Sequence, residues 1–330
     1  MTPRLLRIIL KPRTAFGSPV SGDTLFGQLC WGLSLKLGES RLEELLEGYG
    51  QDRPFAVVSD AFPHGSLPLP TWPSVFFASP VKEELRKKLK AKRWLPLGSL
   101  NQKPELWQEA ALDDEAAYAQ GAECPDPDAR YKPELRPQPH NSLGRLTGAT
   151  GEGRFAPYTQ IQTWFHPATR LDLYVILDEA RLETDVFLKI LDEIGATGYG
   201  RDASQGLGKF EVSSGPEPPP WAQTPARRFL TLASTAPQGQ GYDPEGSFYQ
   251  VKTHFGRHGQ AGALGPNPFK RPLLLAKTGA VFYLREKTVR FWLGQGLTGV
   301  SANEPRAVHQ GYAPAVPVPD WPASANEAAS

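Results

Sequence analysis

The sequence predicts an α+β protein built on antiparallel sheets, and three observations carry that prediction. Two short runs, "RLLRIILK" near the N-terminus and "LDLYVILDE" from residue 171, alternate apolar and other residues as strands do. Each is followed by a segment with apolar residues three and four apart, the period of a helix. The 33 prolines and 32 glycines among 330 residues cut the rest of the chain into short pieces, which excludes a helical bundle.

In chain order, Leu6, Ile8 and Leu10 set one face of the first strand towards a core. After the turn "PRTAFGSPVSGD", Leu25, Leu29, Leu33 and Leu37 recur every four residues beside Phe26 and Cys30. That is a helix, with Ser21 or Asp23 at its start. Gly27 and Gly32 inside it cost about 1 kcal/mol each relative to alanine, so close helix packing, or close approach of a ligand or partner, is expected there. "SRLE", from Ser40 to Glu43, reads as the capping box of a second short helix. "PFAVVSDAFPHGSLPLPTWP" holds one short strand and a proline-punctuated loop. The apolar residues Leu67, Leu69, Trp72, Val75, Phe76 and Phe77 of that loop are expected to lie exposed as a protein interface. "VKEELRKKLKAKRW" is a basic helix with seven cations against two glutamates, read as a solvated face.

Residues 96–137 are rich in Pro, Asp, Glu and Ala without a sustained period, and are expected to form a mobile, partly helical insertion. Leu171, Leu173, Val175 and Leu177 share one face of the next strand. Thr184 is expected to cap a helix whose apolar set is Phe187, Ile190, Leu191 and Ile194, with Gly195 as its stop. "KFEVSS" is the strand after the following loop. Strand, helix, strand, strand, helix, strand is the split β-α-β order of a ferredoxin-like domain enlarged by insertions. It occupies residues 1–215. "GPEPPPW" is a linker, and the strand-like runs "RRFLTLAST", "SFYQVKTHF", "PLLLAKTGAVFYL", "TVRFWL" and "VHQGYAPAVPV" form a second domain over 222–318. Residues 319–330 read as a disordered tail.

Lys and Arg total 36 against 35 Asp and Glu, so global charge points to no polyanionic partner and any nucleic-acid site is a local patch. The two cysteines, Cys30 and Cys124, have no CxxC neighbour, which excludes a disulfide framework and a cysteine zinc site and suits a reducing compartment. No apolar run is long enough for a signal peptide or membrane span, so a soluble cytoplasmic protein is expected.

"GYGRDASQGLGKF", from Gly198 to Phe210, is the most unusual segment. A Walker A loop needs glycine where Ala203 stands and Ser or Thr where Phe210 stands. A dinucleotide fingerprint runs from strand to helix, whereas this loop runs from helix to strand. A nucleophile elbow fails because Asp202 precedes Ser204 where glycine is required. Two readings remain. Gly198, Gly200, Gly206 and Gly208 expose amides that, with Arg201, Ser204 and Lys209, cradle phosphate; or the segment is an ordinary long turn. "TGATGEGRFAPY" supplies Arg154, Phe155 and Tyr158, cations and aromatics interleaved as single-stranded nucleic acid requires, or else a hairpin tip. Of the six histidines, only His254 and His258 in "HFGRH" have metal-like spacing, and the glycines around them exclude a helix, so no metal site is read. His140 in "QPHNSLGRLTG" could serve as the general base of an endoribonuclease.

"SGDTLFGQLCW", "PFAVVSDAFPHGSLPLP", "HNSLGRLTG", "GYGRDASQGLGKF" and "VHQGYAPAVPV" together, in this order, resemble the fourth-subunit family of type III-A CRISPR Csm effector complexes, within the RAMP superfamily. The resemblance spans residues 1 to about 318 apart from the insertion. It implies two ferredoxin-like, RRM-like domains, the second degenerate. It also implies a non-catalytic scaffold without cofactor or metal that grips the 5′ tag of the guide RNA (crRNA), between the large polymerase/nuclease subunit and the RAMP backbone subunit of the filament. The glycine loop then faces RNA, together with His140, Asn141, Arg145, Arg154, Phe155, Tyr158, Lys252 and Arg257. Gly144 stands where the family segment usually carries an acidic residue. The alternatives are a RAMP-fold endoribonuclease that processes guide RNA, the cap subunit of another CRISPR subtype, or a protein-only interaction module.

Overall fold

A computed structural model describes residues 3–77, 83–213, 215–257, 259 and 269–320, with the side chains of 75, 83–86 and 154 outside that description. The first half contains β1 (Arg4–Pro12), α1 (Gly22–Leu37), α2 (Glu39–Leu46), β2 (Ala56–Pro63), β3 (Ser66–Pro68), α3 (Glu83–Ala91), β4 (Trp94–Pro96), α4 (Trp107–Ala110), α5 (Asp114–Gly121), β5 (Glu134–His140), β6 (Tyr158–Trp164), β7 (Leu171–Leu177), α6 (Thr184–Thr197) and β8 (Phe210–Val212). The second half contains β9 (Ala226–Thr231), β10 (Val251–His254), β11 (Leu273–Ala276), β12 (Val281–Thr288), β13 (Trp292–Leu297) and β14 (His309–Val318).

The main sheet has the order β2-β7-β1-β8, antiparallel throughout. With α1 and α6 as the crossovers this is the ferredoxin-like arrangement expected from the element order. Strands β1 and β7 pair without interruption from Arg4↔Leu177 to Leu10↔Leu171. The expected apolar face, Leu171, Leu173, Val175 and Leu177, packs with Ile8, Leu10, Leu25, Leu29, Leu33, Phe187, Ile190 and Leu191 in one core. The second half forms the antiparallel sheet β12-β9-β14-β13. Among the described residues it carries no α-helix. Strand β13 starts at Trp292, later than "TVRFWL" implied.

The opposite face of the main sheet is covered too. Phe62 and Tyr174 meet Leu67, Trp72, Phe77, Leu95 and Trp107 from the insertions, and Leu230, Leu232, Val281 and Val316 from the second sheet, in a second core. Two expectations are thereby corrected. The proline-rich loop is not an exposed interface: Leu67 is fully buried, and Trp72 and Phe77 are 9% exposed. Residues 96–137 are not a mobile insertion. Trp107, Ala111, Ala117 and Tyr131 are buried, Trp107 stacks on Trp72 at 5.3 Å, and Asp113 caps α5 through the Ala116 amide. The acidic residues of this segment hid its apolar anchors because those anchors follow no single period.

Helix ends also differ from expectation. Ser21 precedes α1, but its hydroxyl donates to Asp23 instead of capping a backbone amide. Ser40 lies inside α2, which starts after Gly38 without a capping box. Glu183, not Thr184, precedes α6, and the helix runs past Gly195 to Gly198. Gly195 is required for packing instead: a Cβ there would lie 2.3 Å from the carbonyl of Phe210 in β8. Gly32 likewise lets α1 approach Ile190 of α6, while Gly27 faces open space. The linker is docked, with Trp221 against Tyr174 and Glu217 bridged to Arg7. The expected tail lies outside the described residues from 321 onward.

The two sheets are joined by a buried side chain acting as backbone. The amide of Gln310 on β14 accepts from the Val58 N–H and donates to the Val58 carbonyl, both at 2.8 Å, where β2 bulges away from β7. Asp60 N–H continues the junction to the Leu232 carbonyl at 2.8 Å. Gln310→Leu therefore leaves two buried backbone groups unpaired and is expected to cost about 2–4 kcal/mol in urea denaturation. Trp107→Ala is expected to cost about 3–5 kcal/mol, the range for emptying a packed aromatic site. An unchanged denaturation midpoint in Trp107→Ala would return residues 96–137 to the status of a mobile insertion.

Candidate nucleic-acid interface

The loop 198–210 closes α6 onto β8 and turns through five residues with positive φ: Gly198, Gly200, Asp202, Gly206 and Gly208. Its amides are used internally. Tyr199 N–H donates to the Gly208 carbonyl (2.9 Å), Gly208 N–H to Ala15 (2.8 Å), Leu207 N–H to Asp202 and Gly206 N–H to Ala203. Side chains hold three more: Gln28 accepts from Gly200, Ser18 from Arg201 and Thr14 from Lys209. The expected concavity of exposed glycine amides is therefore absent among these residues, because a packed loop must satisfy its own donors. The glycines serve close approach. A Cβ at Gly208 would lie 2.0 Å from the Tyr199 carbonyl, one at Gly198 2.5 Å from the Leu207 carbonyl and one at Gly200 2.2 Å from Ser18 Oγ. At Gly206 a Cβ meets nothing. What the loop presents outward is side chains: Arg201 and Ser204 are exposed and Lys209 is half-buried.

A two-stranded hairpin, β5 paired with β6 from Glu134↔Trp164 to His140↔Tyr158, stands beside this loop. Pro137 and Pro139 in β5 limit further strand pairing, since proline donates no hydrogen bond to a ladder. The hairpin is fixed at its base. Phe16 and Thr163 exchange two backbone hydrogen bonds of 2.9 Å, and the Arg201 guanidinium donates to the Ile161 carbonyl at 2.7 Å. One arginine thus belongs to both the loop and the hairpin. Along the hairpin, His140 stacks on Tyr158 at 5.1 Å and 12°, and Arg136 lies over the Trp164 ring. Leu135, Leu143, Leu146, Phe155, Tyr158 and Ile161 are exposed. Asn141 and Arg145 are exposed beyond His140, and the Arg154 side chain is not described. Gly144 is buried in the turn that follows, where a Cβ would meet the Thr147 hydroxyl at 2.7 Å and the Ala149 carbonyl at 3.6 Å.

Structure therefore joins the glycine loop to the hairpin that carries His140 and Tyr158, while Lys252 and Arg257 lie on and next to β10 in the second half. Arg257 is exposed next to β10. Lys252 on β10 turns towards Asp23 Oδ2 at 3.5 Å, beside His254 and His309. Burial pushes the Asp23 carboxyl up, but Lys252 and the two imidazoles outweigh it and hold the group at about 2. Burial, with Asp23 nearby, pushes Asp60 up to about 6. Sequence reasoning missed Arg136, Trp164 and the Ser18, Gln28 and Thr14 props, which carry no local motif. It paired His254 with His258, which lies outside the described residues; the structure pairs it with His309.

No family model and no curated protein matches the chain. Solved structures do. A chain of the crystal structure of the Csm3-Csm4 subcomplex in the type III-A CRISPR-Cas interference complex superposes with a TM-score of 0.60 at 11% identity, over 96% of this chain and 100% of that one. A chain of the Csm1-Csm4 cassette in complex with AMPPNP gives 0.55 at 17% identity, over 97% and 100%. A chain of the same cassette with pppApA gives 0.54 at 16%, over 96% and 98%. At such identities the likeness establishes a shared fold, and it covers essentially the full length of each chain. Among the described residues no helix is long and apolar enough to cross a membrane.

The glycines of the loop are expected to separate by mutation. Gly208→Ala drives a methyl group into the Tyr199 backbone and should lower the urea midpoint strongly. Gly206→Ala should cost only the αL penalty of about 1–2 kcal/mol. Equal midpoints for the two variants would show that close approach does not set the loop.

Proposed function

We propose that this chain is a Csm4-type subunit of a type III-A CRISPR effector complex, a non-catalytic cytoplasmic scaffold that holds the 5′ tag of the guide RNA. Csm4 is the component common to the Csm3-Csm4 and Csm1-Csm4 assemblies whose fold this chain shares along its whole length. In that place it joins the large subunit, Csm1, to the backbone subunit, Csm3. The observation that carries the RNA reading is the convergence of loop and hairpin at Arg201. Arg201 and Lys209 meet phosphates, while Tyr158, His140 and Phe155 offer faces on which single-stranded bases stack, at about 1–3 kcal/mol per base. Because the loop amides are engaged internally, the side chains supply the contacts and the glycines hold the loop in shape.

Replacing Arg201 and Lys209 by Ala should flatten the salt slope of log affinity for guide RNA by about 1.4, at about 0.7 per single-strand phosphate contact. Tyr158→Ala should weaken binding with the slope unchanged. The measurement is RNA binding by the assembled complex, or by a soluble subcomplex, at several salt concentrations. A folded double variant with unchanged slope and affinity returns the loop to an ordinary turn. Metal-free cleavage of repeat RNA by the purified protein, lost in His140→Ala, would replace the scaffold reading with the endoribonuclease.

A further inference from the structure

Where the two halves meet, three side chains from distant parts of the chain converge: Asp23 at the start of α1, His254 at the end of β10 and His309 at the start of β14. One ligand-capable atom from each lies within 4.8 Å of the other two. Asp23 and His309 are 5% and 4% exposed. The arrangement is only half satisfied by protein contacts. Asp23 Oδ1 is engaged, accepting from Ser21 Oγ and Thr24 N–H at 2.7 Å each. Its Oδ2 faces His254 Nδ1 at 3.6 Å and Lys252 Nζ at 3.5 Å, at or beyond the limit for a hydrogen bond. His309 Nε2 is buried with no partner. A buried unpaired nitrogen is costly and rare enough to require an explanation.

We propose that Asp23, His254 and His309 form a binding site for a divalent transition metal ion, zinc by the character of its donors, which clips α1 to the second domain. Two imidazoles and one carboxylate are a recurrent donor set for such ions. Zinc–ligand bonds of about 2.0–2.1 Å put tetrahedral ligand atoms about 3.3 Å apart. Loading therefore draws the three ligand atoms in from their present spread of up to 4.8 Å. Ser21 and the Thr24 amide orient the carboxylate from behind, as outer-shell partners do. Lys252, on a flexible stem, is the cation now next to Asp23 Oδ2, and the ion takes its place. A water completes the shell. The three proposed ligands lie outside the loop and the hairpin, although Tyr199 of the loop accepts from the Ser21 N–H at 3.0 Å behind Asp23.

The test uses the full chain, stripped with a chelator and titrated with zinc against a chromophoric competitor, and with cobalt for its visible absorption. One ion per chain is expected, with a rise in the thermal midpoint on loading. His254→Gln and His309→Gln should each weaken zinc at least tenfold and abolish the cobalt bands. His254 is partly exposed, so that variant keeps the measurement meaningful if His309→Gln fails to fold. Cys30→Ser and Cys124→Ser should bind as the parent does. Overturning results are no stoichiometric binding by the folded parent chain, or binding unchanged in folded His254→Gln.

Discussion

Strand β7 is buried along its whole length on both faces, and the rest of the molecule is arranged around that fact. One face is covered by α1 and α6. The other receives Trp72 and Trp107 from the insertions and Leu230 and Val316 from the second sheet. A strand without a solvent face cannot leave a carboxylate unpaired, and Asp172 is held by His64 Nδ1 at 2.7 Å and the Gly65 amide at 2.9 Å. The turn between β2 and β3 is thus fixed by the polar residue on β7. The insertions are walls of the core and not additions to a finished domain.

The same requirement shapes the junction between the sheets. Strand β2 leaves its register with β7 between Val58 and Ala61. The groups freed by that bulge are taken up by Gln310 at Val58 and, two residues further on at Asp60, by Leu232 of the second half. Tyr312 continues the contact, donating to the Tyr49 carbonyl at 2.7 Å inside the first core. The second half of the chain therefore completes hydrogen bonds and burial that the first leaves open, and it brings His254 and His309 against the start of α1.

In the loop after α6, tight folding and ligand contact compete for the same amides, and folding takes most of them. The loop is braced by Thr14 and Ser18 from the segment before α1 and by Gln28 within it. Arg201 then ties it to the hairpin. A surface made this way is stiff in its backbone and adaptable in its side chains, which suits a contact read through charge and stacking and not through hydrogen bonds to base edges.

The sequence by itself determined the elements whose period is local: β1, β7, α1 and α6, their order, and hence the ferredoxin-like sheet of the first half. It also isolated the glycine loop as the unusual segment and His140, Phe155 and Tyr158 as residues worth placing. These are properties of near neighbours along the chain, which alternation and helical spacing report directly. Only the tertiary structure decided what covers the second face of β7, because Trp72 and Trp107 are single anchors in aperiodic segments. It alone decided that Gly195 packs a strand and does not end a helix, that Gly208 and not Gly206 is sterically required, and that the loop amides are spent. Lys252, read as an RNA contact, turns inward to Asp23, and His254 finds His309 on another strand. Each of these outcomes rests on which distant backbone or side chain comes within a few ångströms, and spacing along the chain carries no record of that.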